Sequence, residues 1–286
     1  MHRQILPVRQ VRSLQAVELT SAVWRDEAFA GPESQFMKRT ALVPDGEGWW
    51  CHVCGKRSII EPSFFGDATC AKCGSLLWPR PPRDRQAQLV HDQLRDAGAR
   101  FAIDTDSEAW RIDLSSCRAN DRQLAELVAL EPITELILTD CPVTDLGVQS
   151  LVLLPTLEVL NLTHTHISDD GLRAVGSLSQ LEVLSLNETG ITDSSLNLLD
   201  NLRNLWCLDL DDTQVTGASF PQLHLLNQLE MLFVAHTSIN DRALSKLTAA
   251  SRLEEVWIHD TLVSAEGIAW FRRSRPSCLV HLSADY

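Results

Sequence analysis

The sequence predicts an α/β solenoid, with short parallel strands on the concave side and short helices on the convex side, preceded by a small metal-binding module. Three observations predict this fold class. A 24-residue period runs through seven units without slipping, each unit reads as a strand followed by a helix, and a doubled C-x2-C motif precedes them. The length of 286 residues allows one to three domains.

Residues 1–48 carry the weakest pattern. Ser13 to Trp24, SLQAVELTSAVW, fits a helix, and the rest of the segment has no clear period, so the sequence assigns it no role. No charged start followed by an apolar run opens the chain, so no secretory signal is read and a cytoplasmic location is expected. No stretch approaches the ~20 apolar residues of a membrane span, and no membrane partner is expected.

Residues 49–78 hold four of the eight cysteines in two pairs, Cys51 with Cys54 and Cys70 with Cys73. Two residues between thiolates let both sulfurs bind one cation, and two such pairs complete a tetrahedron. A glycine follows each pair, which permits a sharp turn. The spacing predicts one structural Zn²⁺ with no ligand position open for catalysis.

This segment resembles the zinc-ribbon family, which is strong evidence for a metal and weak evidence for a particular partner. Iron held by four cysteines remains an alternative to zinc, and disulfides are a further one. A thioredoxin-like redox pair is disfavoured, because two pairs are present and no βαβ pattern surrounds them.

Residues 79–83, PRPPR, read as a semi-rigid extended connector because three of the five are proline. Residues 84–108 read as the N-terminal cap of the solenoid. Within them, Asp84 starts a helix with an apolar face, Gly98 stops it, and a strand follows at Phe101 to Asp104.

Residues 109–286 contain seven units and a partial eighth, in which Val280 and Leu282 take positions 4 and 6. Positions 1, 4, 6, 11, 16, 19 and 22 of each unit are expected to be apolar, and among these only Ser274 is not. Alternation around Leu160 and Leu162 predicts a strand with these two side chains inward. Cysteine or threonine recurs at position 9, where a small side chain can bond the backbone of the turn. Cys117 and Cys141 in this column are expected to be structural.

The pattern L-x-x-L-x-L-x-x-T-x-I-x-D-x-x-L resembles the leucine-rich repeat family, in its 24-residue bacterial or cysteine-containing type, from about residue 101 onward. The resemblance implies a curved parallel sheet whose outward positions 3, 5, 7 and 8 bind a partner. A Ser, Thr or Asp cap before each helix is also expected. Gly217 and Ala265 replace the usual aspartate, which predicts weaker caps in the fifth and seventh units.

Charge is divided unevenly along the chain. Residues 1–83 carry 11 Lys or Arg against 8 Asp or Glu, a net charge of +3, and residues 84–286 carry 14 against 30, a net charge of −16. The acidic repeats are expected to repel nucleic acid, and only the ribbon is a candidate for binding it.

The outward columns predict one exposed apolar patch rimmed by acids, which is typical of a protein interface. The expected partner presents Lys or Arg around an apolar anchor. Scattered surface apolar residues, or a patch covered by the N-terminal segment, are the alternatives. The candidate binding residues are Val183, Cys207, Met231, Phe233, Trp257, Asp209, Asp211, Glu255 and His259, with Asp212 and Asp260 beside them.

Position 8 is an alternation of acids and histidines after a serine in the first unit, in the order Ser116, Asp140, His164, Glu188, Asp212, His236 and Asp260. Together with His259, this column allows a second-metal or acid-base hypothesis. The favoured interpretation is simpler, because histidines interleaved with acids relieve repulsion along a ladder.

The function predicted from these features is a non-enzymatic protein-interaction scaffold with a structural zinc ribbon. No hydrolase, P-loop or dinucleotide motif is present, and the oligomeric state is left open. The alternative is a nucleic-acid adaptor whose ribbon grips a strand by charge and stacking. Its candidate residues are Lys56, Arg57, Lys72, Arg80, Trp49, Trp50 and Trp78.

Overall fold

The structure is a computed structural model that describes residues 85–103, 109–130, 132–220 and 228–283, together with the backbone of short strands between residues 40 and 78. Ser13 to Trp24, the connector at residues 79–83, Cys54 and Cys73 lie outside the described residues. Residues 30–93 form one compact unit, and the solenoid from Leu94 onward lies in another, with the boundary inside the first helix.

Between residues 40 and 78 only the backbone of the strands is described. β1 pairs antiparallel with β2 and parallel with β6, β2 pairs antiparallel with β3, and β4 pairs antiparallel with β5. Cys51 is the last residue of β2, and Cys70 is the last residue of β5. The six strands are β1 (Thr40–Pro44), β2 (Trp49–Cys51), β3 (Lys56–Ser58), β4 (Ile60–Pro62), β5 (Ala68–Cys70) and β6 (Leu77–Trp78).

In the described part of the solenoid, nine strands form one sheet in chain order. β7 is antiparallel to β8, and every later strand is parallel to its neighbour. The strands are β7 (Arg100–Ile103), β8 (Trp110–Asp113), β9 (Ile133–Ile137), β10 (Val159–Asn161), β11 (Val183–Ser185), β12 (Cys207–Asp209), β13 (Met231–Phe233), β14 (Glu255–Trp257) and β15 (Leu279–His281). The predicted α/β class with a parallel sheet and short helices is confirmed.

The described helices are short, apart from the first and the last. They are α1 (Arg85–Asp96), α2 (Asp121–Glu126), α3 (Asp145–Val148), α4 (Asp169–Val175), α5 (Asp241–Lys246) and α6 (Ala265–Ser274). 3-10 turns occupy Ser115–Cys117, Leu127–Leu130, Gln149–Leu153, Leu196–Asn201 and Leu247–Ala249. None of the helices in the described ranges has the length and apolar character needed to cross a bilayer.

The solenoid core follows the predicted inward positions. Leu160 and Leu162 are completely buried, and so are their equivalents in neighbouring units, such as Leu184 and Leu186. In α1, Ala87, Val90 and Leu94 are buried along one face of the helix. The apolar periodicity therefore selects the side chains that are removed from water, which is the main driving force for folding a solenoid.

The threonine column closes each turn. The hydroxyl of Thr165 donates a hydrogen bond to the carbonyl of Leu162 at 2.6 Å, and the same bond recurs at Thr213, Thr237 and Thr261. The thiols of Cys117 and Cys141 both donate to the carbonyl of Leu114. Position 9 therefore satisfies backbone carbonyls at the end of each strand, as the sequence predicts.

The predicted Ser or Thr cap is confirmed at Thr144, Ser168 and Ser264, but the aspartate column has a role other than capping. The residue before it caps the helix, as Ser168 does for α4 and Ser264 for α6. The aspartate begins the helix in every unit named here except that of Asp193, which lies in a turn, and its carboxylate accepts hydrogen bonds from the backbone N–H and the hydroxyl of the equivalent Ser or Thr in the next unit. We call this contact the aspartate clamp. It joins Asp121 to Thr144, Asp145 to Ser168, Asp169 to Thr192, Asp193 to Thr216 and Asp241 to Ser264.

The prediction of a weak cap in the seventh unit is therefore wrong, because Ser264 caps α6 and α6 is a ten-residue helix. At Gly217 the backbone has a φ of 77°, and an added Cβ would lie 2.3 Å from the Cβ of Ala243. Glycine is required there by both backbone conformation and close packing of the next unit.

Candidate partner-binding face

The outward side chains of the sheet align in straight columns. Val183 pairs with Cys207, Cys207 with Met231, and Met231 with Glu255, while Asp209, Phe233 and Trp257 align in the next outward column. Because successive side chains on a strand alternate between faces, these columns lie on the side of the sheet opposite the leucine core. The structure therefore brings the predicted apolar residues together.

These apolar side chains are buried, and the expected exposure of the patch is wrong. Val183, Trp206, Cys207, Met231, Phe233 and Trp257 form a second apolar cluster, which we call the concave cluster, and Val159 packs against it. Phe233 and Cys207 have no accessible surface, and Trp257 is 2% exposed. The sequence analysis did not include Trp206. This residue takes position 2 of its unit, and only positions 3, 5, 7 and 8 were considered as outward.

Part of this burial comes from face-to-face stacking along one column. The rings of Phe233 and Trp257 lie 4.0 Å apart between centroids with an interplanar angle of 16°, and Trp257 stacks on His281 at 4.2 Å and 5°. We call these three rings the aromatic stack. His281 Nε2 lies 2.9 Å from the carboxylate of Glu255, which is only half-buried. One face of Phe233 and one face of Trp257 are thus covered by the residue one strand further along.

Asp209 and Asp211 are also buried, although they were expected to rim the patch in contact with water. Asp209 accepts hydrogen bonds from the Ser185 hydroxyl at 2.9 Å and from the backbone N–H of Asp211 at 3.0 Å. Asp211 accepts one from the backbone N–H of Ala235. Burial raises the pKa of Asp209, and burial together with the charge of Asp209 raises the pKa of Asp211. Two carboxyl groups whose ionised forms are disfavoured by burial therefore lie beside the apolar cluster.

The first units carry ion pairs on the same face that sequence reasoning did not identify. Arg100 on β7 pairs with the buried Asp113 on β8, and Arg111 pairs with Glu135 on β9. Asp113 also accepts a hydrogen bond from the hydroxyl of Ser115 at 2.6 Å. The sequence contains the information needed to predict these ion pairs, because each arginine and its acid occupy outward positions on adjacent strands.

The side chains at position 8 form an exposed line at the end of the strands, which we call the turn ridge. Every member has a left-handed backbone, with φ between 51° and 58°. Asp and His tolerate this conformation better than most residues, so the composition of the column was a readable signal for it. The members are Asp140, His164, Glu188, Asp212, His236 and Asp260, and all six are exposed.

Histidine and acid pair along this ridge. The Nδ1 of His164 lies in close contact with a carboxylate oxygen of Asp140, and this hydrogen bond raises the pKa of His164. The Nδ1 of His236 lies 3.7 Å from the carboxylate of Asp260. His259 at position 7, which was expected on the binding face, is buried, and its burial lowers the pKa of the imidazole.

The described cysteines Cys117, Cys141, Cys207 and Cys278 are free thiols. Burial raises the pKa of Cys141 to about 12 and that of Cys278 to about 11, so both are poor nucleophiles at neutral pH. Cys207 lies inside the concave cluster. The structure describes no side chain of Cys51 or Cys70, so the predicted metal ligands stay a prediction.

Comparison with known proteins supports the repeat assignment. A family model described as "Leucine Rich repeat" matches residues 130–152 and 154–176. No curated protein matches the chain.

Among solved structures, internalin C2 from Listeria monocytogenes is 31% identical, with a TM-score of 0.46, over 56% of this chain and 66% of that one. A leucine-rich-repeat protein of Leptospira interrogans is 14% identical, with a TM-score of 0.40, over 56% and 51% of the two chains. A second Listeria internalin is 17% identical, with a TM-score of 0.36, over 56% and 64%. The chain thus spans less than two thirds of the length of these proteins.

Proposed function

We propose that this chain is a non-enzymatic scaffold that binds a partner protein on the concave face of its leucine-rich repeats. The observation that carries the proposal is the concave cluster itself. A solenoid needs one apolar core, and that core is supplied by the inward leucines. Large side chains such as Phe233 and Trp257 on the opposite side of the sheet are not needed for that core, and we assign them to contact with the partner protein.

The proposed partner presents Lys or Arg around an apolar anchor. Two observations support this chemistry. The turn ridge exposes Glu188, Asp212 and Asp260 beside the cluster, and residues 84–286 carry 30 acidic against 14 basic residues. Complementary charge of this kind raises the rate of encounter and selects against acidic competitors.

The burial of the concave cluster determines the order in which a partner contacts this face. Since Phe233 and Trp257 are almost inaccessible, a partner reaches them only after this face opens. The exposed turn ridge then provides the first contact, and the aromatic stack provides the anchor afterwards. Buried aromatic anchors contribute most of the binding energy in protein interfaces.

Site-specific photo-crosslinking tests the proposal. A photoreactive side chain placed at Glu188 on the turn ridge is compared with one at Asp170, an exposed acid in the first turn of α4. We expect one crosslinked protein from the Glu188 position, and its yield should fall when the neighbouring ridge residue is reversed in charge by Asp212→Lys. Equal crosslinking from Asp170, or a yield that charge reversal does not change, would place the partner elsewhere.

We also propose that Cys51, Cys54, Cys70 and Cys73 hold one structural Zn²⁺ in a zinc ribbon. The doubled C-x2-C spacing supports this, and the first cysteine of each pair is the last residue of a strand, Cys51 in β2 and Cys70 in β5. Thiolate ligands must stay reduced, so we propose a cytoplasmic location.

A further inference from the structure

Three side chains that can bind a metal ion meet at the adjacent turns that follow the strands of the sixth and seventh units. They are His236, His259 and Asp260, and one ligand atom from each lies within 4.8 Å of the other two. The rings of the two histidines are 5.0 Å apart between centroids and meet edge to face. This is the only such group of three in the described part of the chain.

The backbone holds these residues in place. His236 and Asp260 occupy the same position of successive units, and their left-handed turns have φ values of 53° and 52°. The backbone N–H of His236 donates to the carbonyl of His259 at 3.1 Å. The hydroxyls of Thr237 and Thr261 close the two turns by bonding to Val234 and Ile258. The cluster is therefore preorganised by the repeat itself.

A buried nitrogen without a partner lies in this cluster; the other such buried side-chain atom among the described residues is Oδ1 of Asn187, at the same repeat position three units earlier. His259 is only 8% exposed, and its Nδ1 has no hydrogen-bond partner among the described residues. A buried polar atom without a hydrogen-bond partner is destabilising, so the position is unfavourable unless a ligand binds there. At the equivalent turn of the third unit, His164 contacts Asp140 directly and the position before His164 is threonine.

We propose that His236, His259 and Asp260 bind a divalent transition metal ion of the zinc class. Two imidazole nitrogens and one carboxylate suit this class, whereas Mg²⁺ and Ca²⁺ prefer oxygen ligands alone. Three protein ligands leave a fourth position for water or for a group from a bound partner. The site lies in the solenoid and is separate from the four ribbon cysteines.

Relief of charge repulsion along the ridge is the competing explanation for these histidines. It requires only His236, which lies between Asp212 and Asp260 in the column. It gives no reason for a second imidazole, buried at position 7, with an unpartnered nitrogen. Substitution of His259 therefore separates the two explanations.

The test is calorimetric titration of the full chain with Zn²⁺ alone. The variants are His236→Ala, Asp260→Asn and His259→Gln, and His164→Ala is the matched control because it removes a ridge histidine from a different unit. A parallel titration with Co²⁺ separates the two kinds of site, because thiolate ligands give a charge-transfer absorption that imidazole and carboxylate ligands lack.

We expect one saturable equivalent without thiolate absorption in the wild type and in His164→Ala. Each of the three site variants should weaken it at least about tenfold, which is the usual scale for damage to a metal site. Unchanged titrations in His236→Ala and Asp260→Asn would overturn the proposal, and so would an equal loss in His164→Ala. His236 is exposed, so its variant keeps the test valid if His259→Gln unfolds, as circular dichroism would show.

Discussion

The carboxylate of Asp169 accepts hydrogen bonds from both the backbone N–H and the hydroxyl of Thr192, at 2.8 and 2.6 Å, and so joins one repeat to the next. The hydroxyl of Ser195 donates a third bond to it at 2.6 Å. Hydrogen bonds to a charged group contribute about 1.5–3 kcal/mol each when both partners are held in place.

Asp169→Ala should therefore lower the free energy of unfolding by about 2 kcal/mol or more, since it leaves the N–H of Thr192 without its acceptor. Urea denaturation followed by circular dichroism measures the change. Asp170→Ala is the matched control, because Asp170 is the exposed neighbour of Asp169, and it should cost less than about 1 kcal/mol. Equal losses in the two variants would contradict a special role for the clamp.

The clamp also predicts a dependence on acid pH. Burial raises the pKa of Asp169, but hydrogen bonds from Ser195 and Thr192 outweigh it and lower the pKa below the ordinary 3.8. A depressed pKa in the folded state contributes stability above the unfolded pKa, and this contribution is lost as the pH falls through the folded pKa. Unfolding titrations below pH 4 should show a smaller acid dependence in Asp169→Asn than in the wild type. An identical acid dependence would mean that other carboxyl groups carry it.

Asp211 should have the opposite pH dependence. Burial and the charge of Asp209 raise its pKa, so the folded state favours the protonated form. Stability is then greatest below the unfolded pKa of about 3.9 and falls as the pH rises toward the raised folded pKa. Asp211→Asn should be more stable than the wild type at pH 8 by at least about 1 kcal/mol, and this advantage should shrink at pH 5. Asp212→Asn, at the exposed neighbouring position, is the control, and a similar gain there would count against the burial argument.

Gly217 is a position where sequence and structure predict opposite results. The repeat pattern has aspartate at this position, so Gly217→Asp restores the column. The structure gives Gly217 a φ of 77° and leaves no room for a Cβ beside Ala243. We expect Gly217→Asp to lower the thermal midpoint and to cost about 1–3 kcal/mol, because strain and a clash outweigh a new hydrogen bond. A higher midpoint would show that the turn can rearrange.

Trp257→Ala should destabilise the solenoid before any effect on binding is considered. Trp257 is buried between Phe233 and His281, and large aromatic truncations in cores cost about 3–5 kcal/mol. Trp257→Phe retains a ring in the stack and should lose less than half as much. Both are measured by denaturant titration. If Trp257→Ala unfolds at the wild-type midpoint, the ring lies on a surface that water can reach.

The proposed zinc ribbon predicts about one zinc ion per chain in native mass spectrometry after weakly bound metal is removed by gel filtration. A strong chelator should remove it, and Cys51→Ser should prevent its binding, whereas Cys207→Ser should not, since Cys207 lies in the concave cluster. A mass lower by two or four daltons and an absence of metal would instead indicate disulfides.

The repeat register was predictable because it depends on a local pattern that each unit repeats. Leu160 and Leu162 were assigned to the core from alternation alone, and they are completely buried. The threonine column was predictable for the same reason, because a hydroxyl and a carbonyl three residues apart meet within a single turn.

The burial of Phe233 was not predictable in the same way. Alternation shows which side of the sheet a side chain occupies, but it does not show what else reaches that side. The aspartate clamp was missed because its two halves lie in different repeats, so within one unit Asp169 looks like a helix cap. Pairs that span units become visible only when the units are stacked in register.

The clamp also limits how such a chain can change in length over evolution. Each aspartate and its partner lie 23 residues apart in neighbouring units, as Asp145 and Ser168 do. Duplication or loss of a whole unit supplies or removes both halves together, so every remaining pair stays matched. Insertion of one or two residues between the halves separates an acceptor from its donor. Copying entire units is therefore the route by which this solenoid can lengthen without losing the bonds that join its repeats.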